Sequence, residues 1–519
     1  MNQHSFSHSA GGRDRSPCSI THSPSRRWFS LILSLTATVV GLAAQDAPTH
    51  LTLDDAIRLA LANNRSIKVD TYSRAIGRAS LLAAYGSFDP ALTFNRSYSE
   101  QYTSSQPSAD NGFLPPATLV QTDYYSLALV GIMPWGTQYS IGGTSVNQRG
   151  PYNGFTNNFL TTGGVNITQP LLRGFGFSGS SANLGLRVAK ANRAISDWQY
   201  RQTVIDTITN VIVAYSDLIA AHASLRTAQR SRDLAAGLVA ENEKRFKVGS
   251  MSENDVVSAR AKVALREQGI LFATQAVRDT DNRLRLLLGE HAFSNEGPLL
   301  AIAPAEPPEL TLHVAEDLKK SYELRADFQQ ARFGLDKSRY NAAYARNQLL
   351  PQVDFVGGYG YTGYDKNFAA SRRMVSNEDS RAYSAGVQVS VPLTFAQGRG
   401  NARAARLQHR RDEENLEFLK ENIALSVTAA AGDVETTRKR VEAARAALDL
   451  AQKTLDAELK KLRAGTGTST FVVLNYQDQL AEVEANYYQA LADQRRAVAV
   501  YDREIGTTID RYHIVLSKE

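Results

Sequence analysis

ENIALSVTAAAGDVETTRKRVEAARAALDLAQKTL, residues 421–455, decides the fold. Small and apolar residues recur in it at alternating steps of four and three: Ile423, Val427, Ala430, Val434, Thr437, Val441, Ala444, Leu448, Ala451 and Leu455. A sustained 3.5-residue period is the signature of helices packed as a coiled coil. The flanking chain, about 399–463, holds no proline and, past Gly400 at its start, one glycine, Gly432, so nothing in it stops a helix. Ordinary amphipathic helices would also carry a stripe, but about 65 residues far exceeds their usual length. Such a rod reaches ~100 Å. The many alanines in the stripe imply that its neighbours pack closely.

Moving back by 216 positions gives Val211, Ala214, Leu218, Ala221, Leu225, Ala228, Arg232, Ala235 and Val239, the same stripe with one lapse. The chain is therefore a duplication. Leu51-Thr52-Leu53 opens one helical stretch and Leu310-Thr311-Leu312 another. Pro90 matches Pro351, Gln169-Pro170-Leu171 matches Val391-Pro392-Leu393, and Leu288-Gly289 matches Ile505-Gly506. Arg245-Phe246-Lys247-Val248-Gly249-Ser250 matches Lys461-Leu462-Arg463-Ala464-Gly465-Thr466. Long helices are expected at about 180–247 and 399–463, with shorter ones at about 52–86, 253–288, 313–347 and 470–504 beside them. Gly297 to Pro308 is rich in proline and alanine and reads as a linker.

Strands separate the helices. Val387-Gln388-Val389-Ser390-Val391 alternates strictly, and Val353, Phe355, Tyr359 and Tyr361 alternate with smaller or polar residues, as do Leu92, Phe94 and Tyr98. Such alternation suits a membrane strand with one face in lipid and the other in water, or equally a half-buried soluble hairpin. Eighty positions separate Pro90 from Pro170 but only 41 separate Pro351 from Pro392, so the first half carries about 39 more. The insert holds a second alternating pair, Tyr125-Leu127-Leu129 and Tyr139-Ile141, around the tight turn Pro134-Trp135-Gly136-Thr137. Six strands are expected, at about 91–100, 124–133, 138–147, 162–170, 352–362 and 384–392. The tight turn then lies on the inner side and the longer loops, about 101–122 and 148–161, on the outer side.

Arg26 and Arg27 precede an uncharged apolar stretch, Trp28 to Gly41, followed by Ala43 and Ala44. That order is a secretory signal peptide, too short to span a bilayer comfortably, with cleavage expected near Ala43 or Ala44. Ser25-Arg26-Arg27-Trp28-Phe29 also matches a twin-arginine pattern, read as coincidence because barrel chains travel unfolded. The lone cysteine, Cys18, precedes the apolar core, which leaves no disulfide framework in the mature chain and no lipid-anchor cysteine at Leu42-Ala43-Ala44-Gln45. No later apolar run approaches ~20 residues, so a membrane crossing falls to strands closed as a barrel. The export signal and the rods favour that barrel over a soluble hairpin. The net charge of +6 is mixed in sign along the chain, giving no support to nucleic-acid binding.

The organisation expected is a leader and signal peptide over 1–44, a first repeat over 45–289, a linker over 290–309, a second repeat over 310–506 and a C-terminal tail over 507–519. In order, spacing and duplication, the residues quoted resemble the TolC-like outer membrane factor family from Leu51 to Gly506. The resemblance implies a mixed fold: a long antiparallel coiled-coil helical barrel in the periplasm and a transmembrane β-barrel shared by a homotrimer. It implies no enzyme and no cofactor, but a passive outer-membrane channel of a Gram-negative-type bacterium. Such a subunit serves a tripartite efflux or type I secretion system with a periplasmic adaptor and an inner-membrane transporter. It also makes Val248, Gly249, Ser250, Ala464, Gly465 and Thr466 the tips that dock the adaptor. Some members of the family close the tunnel with acidic rings after the second tip; the aligned residues are Phe471 and Leu474, both apolar. Asp255 holds the equivalent place after the first tip, but Leu462 and Gly467 stand where its polar partners would be. An apolar constriction is expected, with packing of Phe471 and Leu474 between helices as the alternative reading.

Beyond the leader, which holds His4 and His8, the histidines are scattered and form no short ligand cluster, and Gly-x-Ser-x-Gly and Walker-type loops are absent, so catalysis has no support. The rival is a secreted or periplasmic coiled-coil scaffold without channel activity. Nothing in the sequence selects an exported substrate.

Overall fold

The computed structural model describes residues 49–103, 118–289, 299–302, 310–464 and 467–515. The leader and signal peptide, most of the linker, Gly465, Thr466 and the end of the tail lie outside the described residues. In the first half, β1 (Thr49–Leu51) leads to α1 (Leu53–Asn63) and α2 (Arg65–Tyr85). Then come β2 (Ala91–Thr103), β3 (Thr118–Ile132), β4 (Gln138–Arg149) and β5 (Phe159–Pro170). The short α3 (Gly176–Gly179) precedes the rod α4 (Ser181–Lys247) and its partner α5 (Glu253–Leu288). The second half runs through β6 (Leu299–Ala301), α6 (Val314–Leu324), α7 (Ala326–Asn347), β7 (Gln352–Asp365), α8 (Phe368–Ser376) and β8 (Arg381–Ser390). It ends with the rod α9 (Ala396–Ala464), α10 (Thr470–Ile505) and α11 (Thr508–Arg511).

The rods have 67 and 69 residues, each ~100 Å long. Val211, Ala214, Leu218 and Ala235 of the α4 stripe are buried, as are Ile423, Val427, Ala430, Val434 and Leu455 of α9. Contrary to the expectation that no later run suits a membrane helix, one window of α4 has the length and composition for it. That window is 72% buried inside the bundle, which explains its apolarity without a bilayer. Two shorter helices also need correction, because 52–86 and 313–347 are each interrupted. Asn64 leaves helical geometry (ψ 129°), caps α2 by accepting from Ser66 N–H at 2.9 Å, and donates to the Leu287 carbonyl at 2.9 Å. Arg325, likewise extended, spends its guanidinium on Asp327, Ser426 and Glu504.

Six strands form one antiparallel sheet in the order β2-β3-β4-β5-β7-β8, with the β3–β4 hairpin in its middle. Register sorts the side chains into two faces. One carries Leu92, Phe94, Leu127, Leu129, Ile141, Val165, Tyr359, Val387 and Val389; the other carries Thr93, Asn95, Ser126, Ser140, Asn166, Ser384 and Gln388. An apolar face left open to the surroundings and a small, polar opposite face are the alternation of a lipid-facing barrel wall. The tight β3–β4 turn meets the start of the rods, where the Gly176 N–H donates to the Trp135 carbonyl at 3.0 Å. The longer connections lie at the far end.

Where the halves meet, β1 and β6 pair in parallel, and the Tyr215 hydroxyl shares its one proton between the Leu51 and Ile302 carbonyls, both at 2.7 Å. Thr52 caps α1 and exchanges bonds with Asp55, so the Leu-Thr-Leu opening is a capping motif. Gly506 ends α10 at φ 90°, where a Cβ would lie 2.9 Å from the Leu324 backbone; only glycine fits.

Close by, Asp502 is 3% exposed and paired with Arg511 at 3.0 Å. Burial pushes its carboxyl up to about 6, against the pull of Arg511. A raised folded-state value means that the unfolded chain ionises first. This site's contribution is complete below about pH 4 and lost as pH rises through about 6, a change of roughly 3 kcal/mol. In Asp502→Asn, the part of the melting-temperature change between pH 4 and pH 7 due to this carboxyl should vanish. A variant with the parent's full pH profile in detergent would contradict this.

Candidate functional site

The turns joining each rod to its partner are built by helix-capping chemistry. At the first, the Gly249 N–H donates to the Phe246 carbonyl at 2.9 Å and the Ser250 N–H to the Arg245 carbonyl at 2.9 Å. With Gly249 at φ 77°, this is a Schellman ending. Val248 is 77% exposed at its apex. Ser252 then caps α5: the Asp255 N–H donates to its hydroxyl at 3.2 Å, and the hydroxyl donates to the Asp255 carboxylate at 2.7 Å. At the second turn Ala464 is the exposed last residue of α9, Gly467 takes φ 71°, and Ser469 caps α10 by accepting from Val472 N–H at 3.4 Å.

The caps revise the expected gate. Ser252 and Ser469 lie 217 apart, whereas Gly249 and Gly465 lie 216 apart, so the second turn is one residue longer. Asp255 therefore corresponds to Val472 rather than Phe471, and its carboxylate is engaged in the cap. Leu474 is also corrected: at 2% exposed, it packs with Ala235, Leu238, Ala259, Leu455, Leu462 and Val473. The helix-packing alternative describes it. Phe471, at 63% exposed on the first turn of α10, is left as the free apolar side chain of the expected pair.

Behind the turns lies a polar cluster that the sequence reading missed. Arg266 of α5, with its side chain 8% exposed, reaches Asp478 of α10 at 2.7 Å, and Lys262 reaches the same carboxylate at 2.9 Å. Arg266 also donates to the Ser231 carbonyl of α4 at 2.8 Å and to Gln477 Oε1 at 3.1 Å. One guanidinium thus ties three helices from both halves. Partial burial alone would raise the Asp478 carboxyl, but hydrogen bonds and charge from Lys262 and Arg266 hold it below the usual range. The only sequence signal was charge at helical positions, which reads equally well as a solvated face.

The model of the family described as "Outer membrane efflux protein" matches residues 135–290 and 318–503, covering both rods and both turns. The chain belongs to that family. Its members are outer-membrane channel proteins, not enzymes. This efflux-family chain is 23% identical to outer membrane protein TolC of Escherichia coli (strain K12) over 350 residues, 64% of this chain and 68% of TolC. It is 24% identical over 341 residues to protein CyaE of Bordetella pertussis (strain Tohama I / ATCC BAA-589 / NCTC 13251), covering 64% and 70% of the two chains. The solved outer-membrane channel OprN superposes with a TM-score of 0.65 at 17% identity, over 88% of this chain and 89% of that one, a likeness of fold.

In Asp478→Ala the Arg266 guanidinium keeps its burial and loses its counter-charge. Because Asp478 itself is partly exposed, the expected loss is about 2–3 kcal/mol, toward the low end for a broken buried pair. Glu435→Ala, which removes an exposed i,i+4 pair with Lys439, should shift melting by almost nothing. Equal melting shifts in the two variants would show that the cluster does not tie the helices.

Proposed function

We propose that three copies of this chain form the exit duct of a tripartite efflux or type I secretion assembly in the outer membrane. The carrying observation is the sheet: an apolar face outside, a polar face inside, and two long edge strands, β2 and β8, unpaired among the described residues. Pairing β8 of one copy with β2 of the next removes those edges, and three copies of six strands make a barrel in the size range that holds an aqueous channel. Unpartnered apolar side chains on α2 (Val69, Tyr72, Ile76, Leu82) and α9 (Leu407, Phe418, Leu425) support helical contacts between copies. Rods of ~100 Å suit a periplasmic tunnel. A soluble scaffold would leave both the edges and the apolar face in water.

In this reading the chain does no chemistry; an inner-membrane transporter supplies the energy. A periplasmic adaptor docks at the tips around Val248, Gly249, Ser250, Ala464, Gly465 and Thr466. Phe471 rings narrow the tunnel end, and Asp255 holds the first turn in shape. Purified protein should migrate as a heat-modifiable trimer and form discrete channels in planar bilayers. Phe471→Ala should raise single-channel conductance, whereas Leu474→Ala should destabilise without that gain. The absence of channels from the folded trimer would refute the duct, and unchanged conductance in Phe471→Ala would remove the constriction.

A further inference from the structure

We propose that the outer wall of the sheet carries a binding site for one acylated, phosphorylated glycolipid of the outer leaflet, a lipid A, held between the sheet and α8. Register places the ends joined to the rods at Ala91, Ile132, Gln138, Pro170, Gln352 and Ser390, so the β7–β8 connection containing α8 lies at the far, external end. α8 does not cap the barrel opening; it folds back onto the apolar face. Its buried Ser371 is hydrogen-bonded to Thr161 at 2.8 Å, and Thr161 in turn to Ser145 at 3.0 Å. The Phe368 and Phe159 rings sit 5.7 Å apart.

A groove of about 680 Å³ opens between this helix and the wall, of a size that can hold a lipid tail. It exists because the cross-strand row Phe94–Leu127–Gly143–Gly163–Tyr361 lacks side chains at its centre. Two facing glycines leave a depression, walled by Phe94, Leu127, Phe159 and Phe368. The apolar band ends there. Tyr125–Ser145 lies four residues beyond Leu129–Ile141 along the strands, about 13 Å, and the next outward pair on that face is Asp123–Asn147. The groove therefore straddles the boundary between acyl chains and head groups.

Cations stand at that boundary. Arg372 lines the groove, and its guanidinium has no hydrogen-bond or ion-pair partner among the described residues. Arg96 lies over the Tyr125 ring at 5.4 Å and has no carboxylate partner among them. Isolated guanidiniums beside an apolar slot match a phosphate joined to acyl chains. The external position commits the site to the lipid of the outer leaflet rather than to an inner-leaflet phospholipid.

The inference rests on the barrel reading, because the grooved face must meet lipid. The test is native mass spectrometry of full-length trimer extracted from outer membranes, with single-channel conductance recorded on the same preparations. The parent should retain lipid A at up to one per chain. Arg96→Glu combined with Arg372→Glu should retain it about ten- to a hundred-fold less tightly, the effect of losing charge-assisted hydrogen bonds. Val375→Trp, which fills the groove without changing charge, should also lose the lipid, and both variants should conduct as the parent does. Undiminished lipid A on these variants, or phospholipid or detergent retained in its place on the parent, would overturn the site. A parent that binds lipid A but forms no channel would overturn the duct reading instead.

Discussion

The backbone groups along the open edges of β2 and β8 have no partner among the described residues, and the rest of the architecture answers to that constraint. An edge of 13 residues cannot be left bare in a bilayer, where each unmatched N–H or C=O costs several kcal/mol. Water would tolerate the edge but not the band of Leu92, Phe94, Leu127 and Val387 beside it. Closure by further copies meets both demands. In the proposed assembly each copy stands beside the next along its helices too, which accounts for apolar residues left uncovered on α2 and α9 while the stripe facing its own bundle is buried or half-buried.

The two halves are held together at two levels, by different interactions. At the seam, Tyr215 bridges the β1 and β6 backbones and Arg496 of α10 pairs with Asp217 of α4 at 2.6 Å, so elements far apart in sequence share one junction. Near the tips, Arg266 and Asp478 join α5 to α10 across the duplication. Between them α4 meets α5 and α10 mostly through small side chains such as Ala220, Ala223, Thr227, Ala490 and Ala492, which contribute close approach but little buried area each. Polar locks at the ends fix a register that a uniform small-residue stripe would leave poorly determined.

Much of this was legible from sequence because it rests on periodicity. The 3.5-residue stripe, the alternating strands and the tip glycines are local patterns, repeated, so each half supports the reading of the other. What escaped depends on single residues in tertiary context. Asn64 and Arg325 interrupt helices by spending their side chains on distant partners, and nothing near them in sequence reveals those partners. α8 is nine residues long, too short for a periodic signal. Leu474 and Phe471 are both apolar and three apart; only the packing of α10 against α4 and α5 separates a core residue from an exposed one. The one-residue difference between the turns was hidden because their glycines align while their serine caps do not.

The inequality of the halves follows from the same topology. The β3–β4 hairpin enters and leaves the sheet at the external end, so inserting it between β2 and β5 still lets β5 return the chain to the rod side without altering the path of any helix. One strand, or three, would have delivered the chain to the external end and left α4 with no way back. The barrel wall can therefore widen only by pairs of strands while the bundle below keeps its helix count. The junction must absorb the difference, and it does so where the Pro134-Trp135-Gly136-Thr137 turn meets the start of the first rod: Gly136 is left-handed at φ 99°, and the Trp135 carbonyl accepts from Gly176. A wider wall on an unchanged bundle must spread outward from that ring of contacts, so the turn that carries the extra strands is also the one that anchors them to the rod.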